Sequence, residues 1–379
     1  MKHSLKHSLR LPEREIPGVL HGYSLADNTF LHLLDRFYQV PEGILLRTWV
    51  ERTPIDRPIF IVGPYRSETT ILQEIITSHP DVGYFWYLTN IFSCAPVFSY
   101  YTTQFLCKVG LLHRDPIAPV HNPAIPTQIL SPFECESVWL PTGHSLWNET
   151  CRNMLLDADF SDLPFERHLR RLIRSHLFVS KTTRFLNKNP VNSLCIAYLN
   201  KLFPDVRFIN IVRNPLETAI SHYRTAARVE KAFDKNERTR YIFHQHLYID
   251  MLSRRIRTSV QPDTQALDGE HPLLGIASQW VGMQQAVLNA VTANPNISLL
   301  DIRYEDLVHQ PAQTLDQVWG FLELEGEEAA TVTTKYIACL SPRPPVELTS
   351  EEKNYLPRIL EILSPTAGHL GYSFVDYLG

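Results

Sequence analysis

Arg66, Ser67, Thr69 and Thr70 crowd into five consecutive positions and could bind an anion. Arginine offers a fork of cationic N–H donors, and the three hydroxyls add neutral ones. The chemistry depends on what flanks them. Pro58 to Val62 reads as a buried parallel strand, Gly63 opens a short turn, and Ile71, Leu72, Ile75 and Ile76 recur at helical spacing. A strand feeding a helix through such a turn aims unpaired backbone N–H groups and the positive end of the helix dipole outward. The ATP-type phosphate loop wants Gly, Lys and then Ser or Thr after the first Gly. Here those places hold Glu68, Thr69 and Thr70, so a kinase or NTPase is disfavoured.

Arg207 to Val212 reads as a second strand, ending in Arg213; Asn214-Pro215 then turns into a helix that carries Ser221. Arginine at the carboxyl end of a parallel strand can clamp a phosphate bidentately, and a serine on the following helix can donate to the same group.

Together these segments resemble the sulfotransferases that use 3′-phosphoadenosine 5′-phosphosulfate (PAPS). Arg66-Ser67-Glu68-Thr69-Thr70 is similar to that family's 5′-phosphosulfate loop, and Arg213 with Ser221 to its 3′-phosphate motif. Asn187-Lys188-Asn189-Pro190 resembles the segment whose lysine meets the bridging oxygen of the donor. Leu299 to Pro311 resembles the strand and turn whose tyrosine, here Tyr304, sits against adenine. The resemblance runs from about Pro58 to Leu324, with further likeness at Leu370-Gly371-Tyr372. It implies an α/β fold with a P-loop-like parallel sheet flanked by helices, a PAPS donor leaving 3′,5′-adenosine bisphosphate, and no metal. Lys188 and Arg66 would stabilise developing charge. Ser131-Pro-Phe-Glu134-Cys-Glu136 is similar to the Ser-Pro-x-Glu-x-Glu of large bacterial-type members, which makes Glu134 or Glu136 the candidate base or acceptor orienter. Carboxylates two residues apart cannot share a helix face, so one of them would structure the turn.

Glu68 departs from the family's loop glycine. A carboxylate about 5 Å from one ligand charge repels it by roughly 3 kcal/mol at an effective dielectric near 20. A nearby cation such as Arg66 would have to neutralise it, or the side chain would have to turn to solvent. Glycine also accepts a positive φ that glutamate tolerates poorly. Three readings stay open at this point: PAPS binds despite Glu68, the donor or reaction has changed, or the chain is a non-catalytic binding relative.

The rest of the chain bounds the answer. A 44% hydrophobic and 20% charged composition over 379 residues supports a full core, and a net charge of −4 gives no electrostatic case for nucleic acid. Six cysteines without a Cys-x-x-Cys suit a reducing, cytoplasmic setting, and the His244-Gln-His246 pair lacks zinc-site spacing. Neither a signal peptide nor a spanning helix is read, which leaves peripheral membrane contact open. Residues 1–55 read as a helical extension through Phe30, Leu31, Leu33, Leu34 and Phe37. Residues 56–345 read as the α/β core, and 346–379 as a C-terminal helix and tail. Within the core, 224–275 is an insertion and a candidate lid, whose 224–257 stretch carries nine Lys/Arg against four Asp/Glu. Pro342 to Pro345 is a linker, and Thr349 caps a helix over 349–363. The apolar stretch 91–112 is either a core helix pair or a partly exposed wall for a hydrophobic acceptor.

Overall fold

A computed structural model of the chain describes residues 29–90, 92–111, 128–135, 138, 161, 163–233 and 271–374. Glu136, the His244/His246 pair and most of the 224–275 insertion lie outside those residues. The elements are α1 (Thr29–Leu45), α2 (Arg47–Arg52), β1 (Ile59–Val62), α3 (Thr69–Thr77), β2 (Val82–Tyr84), α4 (Pro96–Lys108), α5 (Leu163–Ser180) and β3 (Arg184–Lys188). Then follow α6 (Ile196–Leu202), β4 (Arg207–Val212), α7 (Pro215–Phe233), α8 (Pro272–Ala293), β5 (Leu299–Arg303), α9 (Tyr304–His309), α10 (Pro311–Leu322), α11 (Glu327–Ile337) and α12 (Ser350–His369).

The five strands form one sheet in the order β2-β3-β1-β4-β5. β1 runs parallel to β4, with Ile59 opposite Arg207 and Val62 opposite Asn210; β4 runs parallel to β5, and β2 to β3. All of β1 and β3 is buried, as expected of parallel strands covered on both faces. The fold is therefore α/β, with a parallel sheet flanked by helices. By contact density the chain divides into two compact units, Met1–Arg57 with Pro80–Asn153 and Phe160–Asn187, and Pro58–His79 with Met154–Asp159 and Lys188–Gly379.

In the second unit, α8 is buried continuously from Leu273 to Gln284, so its apolar residues need no single stripe. It packs with α7 and α12 in a core that includes Leu216, Ile220, Trp280, Ile359 and Leu363. The Thr349 cap is present as a capping box with Glu352. α12 nevertheless continues past 363, through Pro365 to His369. Thr366 and Ala367 are fully buried there, and burial holds the helix together past Pro365.

In the first unit α1 is built inside out. Its buried positions include Asp35 and Glu42, while Leu33, Phe37, Val40 and Ile44 are exposed. The two carboxylates serve as caps from a distance for α4, whose own N-cap residue, Ala95, has no side chain to do it. Asp35 accepts from the Cys94 and Ala95 amides at 3.0 Å each, and Glu42 from Phe98 N at 2.9 Å. The stretch 91–112 thus yields one helix, α4. Val97 and Thr103 face inward, and Tyr101 and Phe105 face out. Among the described residues, no helix is long and apolar enough to cross a membrane.

Glu42 carries a measurable signature. Burial pushes its carboxyl from an ordinary 4.5 up to about 7, against the opposing pull of the Phe98 amide and Arg171. The folded state therefore holds a proton that the unfolded chain has already released, and stability falls as pH rises from about 4.5 to 7. Glu42→Gln is expected to be more stable than the wild type at pH 8, by on the order of 2–3 kcal/mol, and close to it at pH 4.5. Urea unfolding of both proteins at the two pH values checks this. An equal difference at both would mean that the carboxyl does not titrate in that window.

Candidate active site

The loop after β1 approaches β4 too closely for any side chain at its first position. Gly63 has φ +140°, and a Cβ there would lie 2.4 Å from the carbonyl oxygen of Ile211. Its amide donates to Ser193 Oγ at 2.9 Å, which ties the loop to the turn after β3. Arg66 and Glu68 both adopt left-handed backbone, at φ 68° and 65°. This costs a non-glycine residue about 1 kcal/mol each, so packing and ion pairs must hold the loop. α3 starts at Thr69 with Glu68 as N-cap and receives no side-chain cap from it. The Ser67 hydroxyl is buried with no partner among the described residues.

The carboxyl ends of β1, β3 and β4 bring the cations to this loop. Lys188, the last residue of β3, is 2% exposed, and its Nζ donates to Thr70 Oγ1 at 3.2 Å. Glu74 lies one turn further along α3; burial raises its carboxyl, and Lys335 and Lys188 oppose the rise. Arg66 Nε donates to Ser221 Oγ on α7 at 3.3 Å, so the 66–70 loop meets the 213–221 segment directly.

Arg213 follows β4 and is 3% exposed. Its guanidinium lies over the Tyr304 ring, 5.1 Å from the centroid. Nη2 donates to Glu217 at 2.8 Å and Nη1 to Glu68 at 3.4 Å, while the buried Nε has no partner among the described residues. Asn214 and Pro215 are the expected start of α7. Asn214 Oδ1 accepts from the Leu216 and Glu217 amides, and proline fills the first helical place. Tyr372, from the C-terminal Leu-Gly-Tyr, buttresses the same strand end by donating to Val212 O and to Glu305, which itself accepts from Asn214 N.

The sequence left Glu68 either turned to solvent or paired with a cation such as Arg66. The structure puts Arg213 on one carboxylate oxygen and Arg343 on the other, at 3.0 Å. Arg343 belongs to the Pro-Arg-Pro-Pro stretch read as a linker. No local pattern could have found it, since its partner lies 275 residues away. Burial first, and the Glu68 charge second, push the Tyr304 hydroxyl above its ordinary pKa. Among the other proposed residues, Glu134 lies in the first unit, where its backbone oxygen accepts from Asn187 Nδ2. The second unit thus assembles Arg66, Ser67, Glu68, Thr69, Thr70, Lys188, Arg213, Ser221 and Tyr304 into one cluster. Such a set can cradle a phosphate or sulfate: it holds a buried lysine and a buried arginine, and the arginine's Nε has no partner among the described residues.

The family model for the sulfotransferase family matches residues 58–268, more than half of the chain and the span holding this loop, Lys188, Arg213 and Ser221. The chain belongs to the sulfotransferase family. Two sulfotransferases named omega-hydroxy-beta-dihydromenaquinone-9 sulfotransferase Stf3, from Mycobacterium bovis and Mycobacterium tuberculosis, are each 25% identical to it over 314 residues. The alignment covers 78% of this chain and 70% of theirs. Two solved sulfotransferases share its fold: STF9 of Mycobacterium avium (TM-score 0.54, 15% identity, 87% of this chain and 81% of that one) and STF1 of Mycobacterium tuberculosis (TM-score 0.55, 13% identity, 92% and 84%).

Proposed function

We propose that this sulfotransferase moves the sulfuryl group of PAPS to a hydroxyl or amine of a hydrophobic, small-molecule or lipid-like acceptor. The observation that carries the reading is the Arg66–Ser221 contact. It joins the loop that would hold the 5′-phosphosulfate to the segment that would hold the 3′-phosphate. The unpartnered Ser67 hydroxyl and Arg213 Nε are the buried donors such a ligand would satisfy. PAPS would supply an activated sulfuryl group; a new bond forms from the acceptor oxygen or nitrogen to sulfur as the bond to the bridging phosphate oxygen breaks. The protein's share is positioning and charge stabilisation. Lys188, which donates to Thr70, would set a buried positive charge against the negative charge that develops on the leaving oxygen. Arg66 and the hydroxyls of Ser67, Thr69 and Thr70 would hold the phosphosulfate, and Arg213, Ser221 and Tyr304 the nucleotide end. Glu134 or Glu136 would take the acceptor proton.

The acceptor class rests on two supports. Tyr101 and Phe105 on α4 are more than half exposed, so the stretch 91–112 offers apolar surface in place of a polar, basic groove suited to glycans. The relatives named above act, by their names, on a hydroxylated dihydromenaquinone.

The donor assignment is tested with a nucleotide pair. If Arg213 and Ser221 grip the 3′-phosphate, adenosine 5′-phosphosulfate, which lacks it, should bind about tenfold or more weakly than PAPS. One charge-assisted contact is worth roughly 1.5–3 kcal/mol. Equal affinities by calorimetry would remove the 3′-phosphate assignment. A second reading, a changed donor or a non-catalytic binding relative, has one observation in its favour, the Glu68 carboxylate seated on Arg213.

A further inference from the structure

A polar stripe runs along the otherwise apolar α3. Leu72, Ile75 and Ile76 are fully buried, while Thr70, Glu74 and the C-cap Ser78 recur at four-residue spacing and share the half-buried face. Each end of the stripe is tied to another element. At the start, Lys188 Nζ donates to Thr70 Oγ1 at 3.2 Å. At the far end, Ser78 Oγ donates to Glu74 O at 2.9 Å and shares a hydrogen bond of 2.9 Å with the Tyr336 hydroxyl of α11. Glu74 stands between the two ends, with Lys335, next in chain to Tyr336, and Lys188 as its neighbouring charges.

Lys188 needs such a neighbour. It is 2% exposed, and a buried ammonium is costly unless an anion stands close to it. Cations crowd the cluster, and its other carboxylates are already engaged. Glu68 serves Arg213 and Arg343, Glu217 serves Arg213, and Glu305 accepts from Asn214 and Tyr372. Thr70 is neutral. Glu74, one turn behind Thr70 on the same face, is the carboxylate that stands within reach, since side chains so spaced start about 6 Å apart. Burial raises the Glu74 carboxyl and both lysines oppose the rise, as befits an anion set between two cations.

We propose that Glu74 is a positioning residue for sulfuryl transfer, its carboxylate holding the Lys188 ammonium against the start of α3 so that this charge meets the leaving oxygen in a fixed place. The Ser78–Tyr336 bond steadies the far end of the stripe from which Glu74 acts. This role rests on the sulfotransferase reading above, in which Lys188 faces the leaving oxygen.

Glu74→Gln keeps the shape and removes the charge. It is expected to lower kcat with PAPS about tenfold or more, while affinity for 3′,5′-adenosine bisphosphate changes less than about threefold. Glu74→Asp should regain part of the lost turnover; a side chain that only filled space would show the reverse order, with Gln above Asp. The pairing is also read without turnover. Glu74→Gln, Lys188→Met and the double variant are melted at pH 8, well above the ordinary carboxylate range. The double variant is expected to melt about 2 °C or more above the additive value, because it leaves neither charge alone. Stabilisation of each variant by 3′,5′-adenosine bisphosphate shows that it has folded. Additive melting shifts overturn the proposal, and so does a wild-type or raised kcat in Glu74→Gln. A wild-type protein that turns over no PAPS would sink the donor reading instead, and the melting cycle would still decide whether Glu74 and Lys188 are paired.

Discussion

Lys188→Met is expected to lower kcat for sulfuryl transfer by about a hundredfold or more, while binding of 3′,5′-adenosine bisphosphate changes far less. Removing one preorganised charge from a buried site typically costs a factor of about 10²–10³ in turnover. Lys188 is such a charge: it is 2% exposed, ends a fully buried strand and donates to Thr70 at the start of α3. Methionine keeps most of the side-chain volume and opens no large cavity. The variant should fold, since a volume-conserving change to an apolar residue opens no cavity. Lys188→Arg should not restore activity, because a planar fork cannot take the place of a compact ammonium in that space. Turnover and nucleotide affinity are measured on the same preparations. Wild-type kcat in Lys188→Met would end the assignment of Lys188 to the leaving oxygen, and an equal loss of nucleotide affinity would make it a binding residue only.

Glu68→Gly is expected to tighten binding of 3′,5′-adenosine bisphosphate by about tenfold or more. The carboxylate lies 3.4 Å from Arg213, the cation proposed for the 3′-phosphate, so a bound phosphate must share or displace it. One unit charge about 5 Å away costs roughly 3 kcal/mol at an effective dielectric near 20, and glycine also relieves the positive φ of 65°. Lost pairing with Arg343 offsets part of this. That pair is half exposed on the arginine side, and such pairs are worth little. Glu68→Gln separates the two contributions, since it removes the charge and keeps the backbone strain. Matching gains in both variants would locate the effect in the charge. A loss of affinity in both would mean that Glu68 holds Arg213 in its working position, and the reading of a changed donor or reaction would then gain ground.

Glu68 also marks the boundary between local and tertiary information in this protein. The strand–turn–helix of 58–77, the Asn-Pro start of α7, the Thr349 cap and the spacing of Arg213 from Ser221 were legible because each rests on neighbouring residues. Apolar periodicity, cap chemistry and the steric demands of Gly63 act over a few positions, and those few residues are the ones proposed to cradle the donor. What Glu68 does was not legible. Its φ follows from the loop, but its partners come from the end of β4 and from a proline-rich stretch near the C-terminus, and only the folded chain brings Arg213 and Arg343 to it. The same holds for α1, which the spacing of Phe30, Leu31, Leu33, Leu34 and Phe37 reads as a helix without saying which face is buried. Two carboxylates found a better use on the uncapped amides of α4, and that choice turned the stripe to the surface. The sequence by itself determined the sulfotransferase elements and their order. The tertiary structure decided which charges meet and which apolar face stays uncovered, because both depend on long-range partners that no local pattern specifies.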